Sequence, residues 1–129
     1  MFSTPDDMAL LFQMLLNGGE LGGVRLLSPA TVQAMTGNRL DDLPELPEPI
    51  RRTRPWGLGW RLNHRASDDT FGDLLGPRAY GHLGATGTMC WIDPDRDGFC
   101  LLLTTAPRDK APWRLVHLSN AVAAAFRNA

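Results

Sequence analysis

Apolar residues return at helical spacing near the start of the chain. Met8, Leu11, Phe12 and Leu15 form one stripe, and Asn17-Gly18-Gly19 follows it as a stop signal. Ser3 or Thr4 can cap this segment, Pro5 suits its first turn, and Asp6 and Asp7 favour the positive end of the helix dipole. The pattern predicts an amphipathic helix over residues 5–17. A second, short helix is predicted from Ser28 as cap and Pro29 behind it, with Leu27 and Val32 placed as a hydrophobic staple and Gly37 as the stop.

Residues 38–55 carry Pro44, Pro47, Pro49 and Pro55 among mixed charges, a composition expected to block ladders and helices alike. From Trp56 the period changes to two: Trp56, Leu58, Trp60 and Leu62 alternate with other residues, as in a strand with one apolar face. A polar loop through Asp68, Asp69, Gly72 and Gly76 leads to three strand-like runs at residues 78–83, 88–92 and 99–104. The turn Asp93-Pro94-Asp95-Arg96-Asp97-Gly98 makes the last two antiparallel neighbours. A tail from Pro112 to Arg127 sets Leu115, Leu118, Val122, Ala125 and Phe126 along one helical face. The fold class predicted is α+β: an antiparallel sheet of three or four strands with the C-terminal helix packed across it and two N-terminal helices. Residues 1–129 read as a single domain, divided into a helical part (1–37), a Pro-rich loop (38–55) and strands plus C-terminal helix (56–129).

Composition narrows the function. With 43% hydrophobic and 21% charged residues the chain has the makeup of a folded globular domain. A net charge of −1 offers no field for phosphate backbones, so nucleic acid is not an expected partner, and Arg51, Arg52 and Arg54 are offset by Asp41, Asp42, Glu45 and Glu48. No apolar run is long enough for a membrane span, and as written the N-terminus carries no export signal, so the chain leaves its compartment open. The three histidines His64, His82 and His117 have no tight zinc spacing, and neither a metal nor another cofactor is expected. Trp56, Trp60, Trp91 and Trp113 are read as core, and Tyr80 and Thr88 as cross-strand packing.

The densest chemical signal is Gly81-His82-Leu83-Gly84-Ala85-Thr86-Gly87-Thr88, followed by Trp91-Ile92-Asp93-Pro94. Its glycines recur every three residues, as where backbone must approach something closely. A phosphate loop is disfavoured, because no Gly-Lys-Ser/Thr ending exists and the run lies between strands instead of opening a helix. In context, the run resembles the lysine-threonine-glycine box of the penicillin-recognising serine hydrolases, whose first position is often His in the esterase and class C β-lactamase-like branches. Phe2-Ser3-Thr4-Pro5-Asp6-Asp7-Met8, Gly22-Gly23-x-Arg25-Leu26-Leu27-Ser28-Pro29 and Trp56-Gly57-Leu58-Gly59-Trp60 are similar to further motifs of that family and stand in family order.

The resemblance implies a partial β-lactamase/transpeptidase-like fold and a small-molecule acyl substrate. It assigns catalytic positions to His82, which would hold the substrate carboxylate or assist proton traffic, and to Ala85, whose backbone N–H would complete an oxyanion hole. Leu83, Gly84 and Thr86 would line the substrate. Leu83 departs from the usual threonine or serine, which favours an ester or other acyl group over a lactam. The nucleophile itself is missing: Ser3, Ser28, Ser67 and Ser119 are followed three residues on by Asp6, Thr31, Thr70 and Val122, and the sole lysine, Lys110, has Pro107 before it. A Tyr-x-Asn is also absent, since the only tyrosine, Tyr80, precedes His82 by two.

The expectation is therefore a C-terminal fragment of a β-lactamase-related serine hydrolase, inactive alone; the competing class is a non-catalytic binding or assembly module derived from that fold. The resemblance also implies that the strand matching Phe99–Thr104 would pair with strands from the family's N-terminal part, so an open apolar edge there is expected to give self-association or docking with an N-terminal complementing segment. If the hairpin turns about Asp95, Cys90 and Cys100 lie opposite each other and could bridge, although free buried thiols are the preferred reading.

Overall fold

A computed structural model describes residues 3–63 and 71–126. The expectations for Phe2, for the loop at Asp68 and Asp69 and for Arg127 lie outside these residues.

Helix α1 (Pro5–Leu16) begins as the sequence dictates: the Thr4 hydroxyl accepts the Asp7 N–H at 3.2 Å, and the proline sits in the first turn, where its missing N–H costs nothing. It ends where Gly18 and Gly19 take positive φ, with the Gly19 N–H returning to the Met14 carbonyl at 2.9 Å. Its buried stripe is Phe12, Met14 and Leu15; Leu11, expected inside, is 40% exposed. Next comes a two-residue hairpin, β1 (Glu20–Leu21) with β2 (Val24–Arg25), turned by Gly22 and Gly23 at positive φ. In the sequence this stretch stands out only as a motif. Helix α2 (Pro29–Thr36) is capped by the Ser28 hydroxyl, which accepts the Thr31 N–H at 3.0 Å.

Two expectations about the middle of the chain are corrected. The Pro-rich stretch does contain a helix, α3 (Glu48–Thr53), because Pro49 falls in its first turn, where proline is tolerated. Trp56–Leu62 is not a continuous strand. Gly59 takes φ 80°, the Gly57 N–H reaches the Trp60 carbonyl at 2.8 Å, and only β3 (Arg61–Leu62) pairs in the sheet.

The main sheet has the order β3-β4-β5-β6, all antiparallel, with β4 (Tyr80–Leu83), β5 (Met89–Asp93) and β6 (Gly98–Leu102). This and the flanking helices make the chain α+β. Pleating sorts the side chains. Met89, Trp91 and Cys100 face helix α4 (Trp113–Ala125), forming a core with Phe71, Leu75, Ala79, Leu115 and Ala123. Tyr80, Ile92, Phe99 and Leu101 face α1, around Phe12 and Leu15. The register pairs Trp91 with Cys100 and Cys90 with Leu101. One residue separates this from the expected pairing, so the two cysteines point to opposite faces, and both are free thiols.

Helix α4 departs from its expected stripe at Leu118 and Ala125, which are exposed, and Trp113, read as core, is 61% exposed, whereas Ser119 is fully buried. The reason is chemical: the Trp91 indole N–H, itself buried, donates to the Ser119 hydroxyl at 2.8 Å, so the core face needs an acceptor at that position. At the far end of the hairpin the buried Asp93 carboxylate is satisfied by Arg96 at 2.6 Å and by the backbone N–H groups of Gly76 and Asp95, each at 3.0 Å. No described helix is long and apolar enough to cross a membrane.

Candidate active site

Strand β4 lies between β3 and β5, and Gly81 lets it do so: a Cβ there would collide with the Cys90 carbonyl of β5. The next residues, His82 and Leu83, pair with Cys90 and Met89. Beyond Leu83 the chain reverses, with the Gly84 N–H on the Thr88 carbonyl at 2.9 Å and the Gly87 N–H on the Gly84 carbonyl at 3.1 Å. Gly87 has φ 85°, and a side chain there would strike the Ala106 carbonyl.

This turn is fastened from beneath. The Thr104 hydroxyl donates to the Gly87 carbonyl at 2.7 Å, the Arg114 guanidinium reaches the Thr104 hydroxyl at 3.3 Å and the Ala106 carbonyl at 2.9 Å, and the Arg108 N–H donates to the Ala85 carbonyl at 3.1 Å. The Ala85 N–H donates to no described residue. A backbone donor left free on a pinned turn can meet an oxygen without reorganising, which is what stabilisation of a developing oxyanion requires.

A groove of about 290 Å³ runs beside β4, lined by His82, Leu83 and Gly84, by Thr88 and Cys90, by Leu101 and Leu103, and by Ser3, Thr4 and Met8 from the start of α1. Of the five residues expected at the site, His82, Leu83 and Gly84 therefore share one wall, whereas Ala85 and Thr86 are exposed on the turn, outside the lining. The Leu83 side chain packs against the α4-side core, so its position contributes backbone and no hydroxyl to the groove. Burial pushes the Cys90 thiol up, against a smaller opposing pull from the His82 backbone, so the neutral thiol is favoured over a nucleophilic thiolate. Tyr80 is buried against Trp60 and pushed up to about 12 by desolvation, which leaves it without basicity at neutral pH. Among the described residues no cluster of His, Cys, Asp and Glu could hold a metal ion.

One neighbour of the site escaped the sequence reading. Trp56, expected in the core, is half-buried and stands edge to face against His82, with ring centroids 5.5 Å apart. No periodicity reports such a contact, because Trp56 lies outside the strands and arrives through the turn at Gly59.

The architecture and the ordered motifs define a domain related to the serine hydrolases. More specifically, the chain belongs to the β-lactamase family, whose model matches residues 1–125. It is 39% identical over 108 residues to a protein of Escherichia coli O157:H7 provisionally named a D-alanyl-D-alanine carboxypeptidase, a match covering 83% of this chain and 22% of that one. A similarly named protein of Salmonella paratyphi B is 40% identical over the same shares. The chain thus spans about a fifth of the length of these relatives. The crystal structure of a β-lactamase from Mycobacterium bovis superposes with a TM-score of 0.69 at 26% identity, covering 95% of this chain and 43% of that one. A penicillin-binding protein homologue from Caulobacter crescentus superposes at 0.63, also with 26% identity, over 88% of this chain and 29% of that one.

Proposed function

We propose that this chain is the C-terminal segment of a β-lactamase-related serine hydrolase and supplies one wall of its acyl-binding site. The observation that carries this reading is the β4 edge itself: His82 and Gly84 line an apolar groove, and the turn just beyond holds the Ala85 N–H free. In the parent reaction a serine attacks an ester or amide carbonyl, and the Ala85 N–H donates to the oxygen of the tetrahedral intermediate. Gly84 flanks the acyl group, Thr86 stands at the mouth of the groove on the turn, His82 handles the proton or the polar end of the substrate, and Leu83 withholds a hydroxyl that a substrate carboxylate would need. Acyl groups without that carboxylate are accordingly the preferred substrates.

The serine and lysine must come from residues other than these, since no Ser-x-x-Lys occurs in the sequence. The chain as a single domain, residues 1–129, therefore docks with an N-terminal complementing segment or with itself. Among the described residues strand β6 pairs only with β5 and leaves its other edge unpaired within the sheet, and Leu103 beside it is 54% exposed, which supports this. The same absence of a nucleophile is compatible with a non-catalytic binding or assembly module.

Turnover of a chromogenic ester and a chromogenic cephalosporin separates the two. The chain alone is expected to give none. The product read from further upstream in frame, if it includes a Ser-x-x-Lys, is expected to hydrolyse the ester and to lose at least tenfold in rate on His82→Ala. An upstream frame without that motif, or an extended product whose rate ignores His82, overturns the hydrolase reading in favour of the module.

A further inference from the structure

His82 is held more tightly than an exposed strand histidine needs to be. Its Nδ1 lies 3.1 Å from the Leu83 carbonyl. A carbonyl oxygen only accepts hydrogen bonds, so Nδ1 must carry the proton, and in the neutral ring Nε2 is then the lone-pair nitrogen. No hydrogen bond from Nε2 to any described residue competes with this assignment.

The opposing constraint comes from Trp56. Its indole meets the imidazole at an interplanar angle of 69° with centroids 5.5 Å apart, an edge-to-face arrangement that packs against one side of the ring. Trp56 is itself anchored three ways. Its carbonyl accepts the Arg39 N–H at 2.7 Å, it bridges to Arg61, and the following Gly57 is pressed so closely on the Met35 carbonyl that no side chain fits. The Leu58 N–H adds a bond to that same carbonyl at 2.9 Å. The segment from the end of α2 to β3 thus delivers one aromatic ring to one histidine.

We propose that Trp56 is a positioning residue for His82: with the Leu83 carbonyl it holds the imidazole as the Nδ1–H tautomer, so that neutral His82 meets the reacting groups through Nε2 as a hydrogen-bond acceptor. This rests on the acyl-binding reading of the groove and deepens it. The partner of Nε2 is then a hydroxyl or an ammonium, such as the attacking serine or its lysine, or an O–H or N–H on the substrate. A substrate carboxylate on Nε2 would instead call for the doubly protonated ring.

The test reads the tautomer directly and needs no turnover. In the purified chain, labelled with ¹⁵N at histidine, long-range nitrogen–proton correlation spectra recorded at a pH where the ring is neutral report which nitrogen bears the proton. His82 is assigned by the signal lost in His82→Gln. The wild type is expected to show a protonated Nδ1 and an unprotonated Nε2. Trp56→Leu is expected to drive both nitrogens toward the averaged shifts of an exchanging ring, and Trp56→Phe to restore the wild-type pattern. A wild-type ring protonated mainly at Nε2, or already averaged, overturns the proposal even if Trp56→Leu fails to fold. A folded Trp56→Leu chain that keeps a fixed Nδ1–H tautomer overturns the role of Trp56. Neither outcome touches the upstream-frame experiment, so the two readings fail separately.

Discussion

The two faces of the main sheet are finished to different degrees. On the α4 face, Trp91, Met89, Cys100 and Leu115 are buried, and the Trp91 indole is met inside the core by Ser119. On the α1 face, Phe12, Leu15, Tyr80 and Ile92 close one end, but the other end opens into the groove at His82, Cys90, Leu101 and Leu103. The closed face holds the strands in register; the open face uses that register to present backbone and an imidazole to solvent. A rigid back and an unfilled front are what a preorganised site asks of a sheet.

That contrast can be broken hardest at its centre. Trp91→Ala removes the largest fully buried side chain and orphans the Ser119 hydroxyl, and is expected to cost about 3–5 kcal/mol in urea unfolding. A loss below about 1 kcal/mol would mean that the α4 face is not the stabilising one. Ser119→Ala isolates the polar part: it leaves the indole N–H buried without a partner and is expected to cost about 1–3 kcal/mol by the same measurement.

The α1 face can be sharpened by pH. Burial raises Tyr80 from 10.0 to about 12, so the folded chain keeps its phenol proton after the unfolded chain has lost it. The stabilisation from this is fully present below pH 10 and is lost as pH rises through 12, by about 2–3 kcal/mol. Tyr80→Phe should flatten that part of the stability profile; an unchanged alkaline slope in the variant would assign it to other groups, among them Cys100, which burial and the nearby Cys90 push up to about 11.

Much of this architecture was legible in the sequence. Caps at Thr4 and Ser28, glycine stops and the hairpin at residues 93–98 are local events, set by residues within a turn of one another, and they appear as read. Two errors are local, the helix missed at Glu48–Thr53 and the turn at Gly59 read as strand; the others are tertiary. Leu11 and Leu118 obey helical spacing but lie off the face their neighbours cover, and the cysteine register shifts by one because the hairpin turn has no local marker for its centre. For the site, the glycine spacing announced close backbone approach, and Gly81 and Gly87 meet it against Cys90 and Ala106. Trp56 was invisible for the opposite reason: its partner is 26 residues away, and only the folded turn at Gly59 brings the two rings together.

The turn beside the groove tests whether rigidity reaches the site from the closed side. Thr104→Val keeps the shape of the side chain but removes the donor to Gly87 and the acceptor for Arg114. Stability is expected to fall by about 1 kcal/mol. The more telling change is local: amide hydrogen exchange at Gly84 and Gly87, whose N–H groups close the turn, should accelerate while exchange in β5 stays protected. Uniform acceleration across the sheet would show that Thr104 supports the whole core and not the turn in particular.

The smallest effect on stability is expected at the open edge, where the largest effect on assembly should appear. Leu103 is 54% exposed beside β6, so Leu103→Lys removes little buried area, and unfolding should shift by no more than about 0.5 kcal/mol. If the unpaired side of β6 recruits another strand, a lysine there should oppose it, both by desolvation and by repulsion between copies meeting at the same residue. Sedimentation velocity at micromolar concentration reads the outcome: wild type associating and Leu103→Lys monomeric. A wild type that is already a stable monomer would leave the open face of the sheet to the groove alone, and would place any complementing segment there instead of along β6.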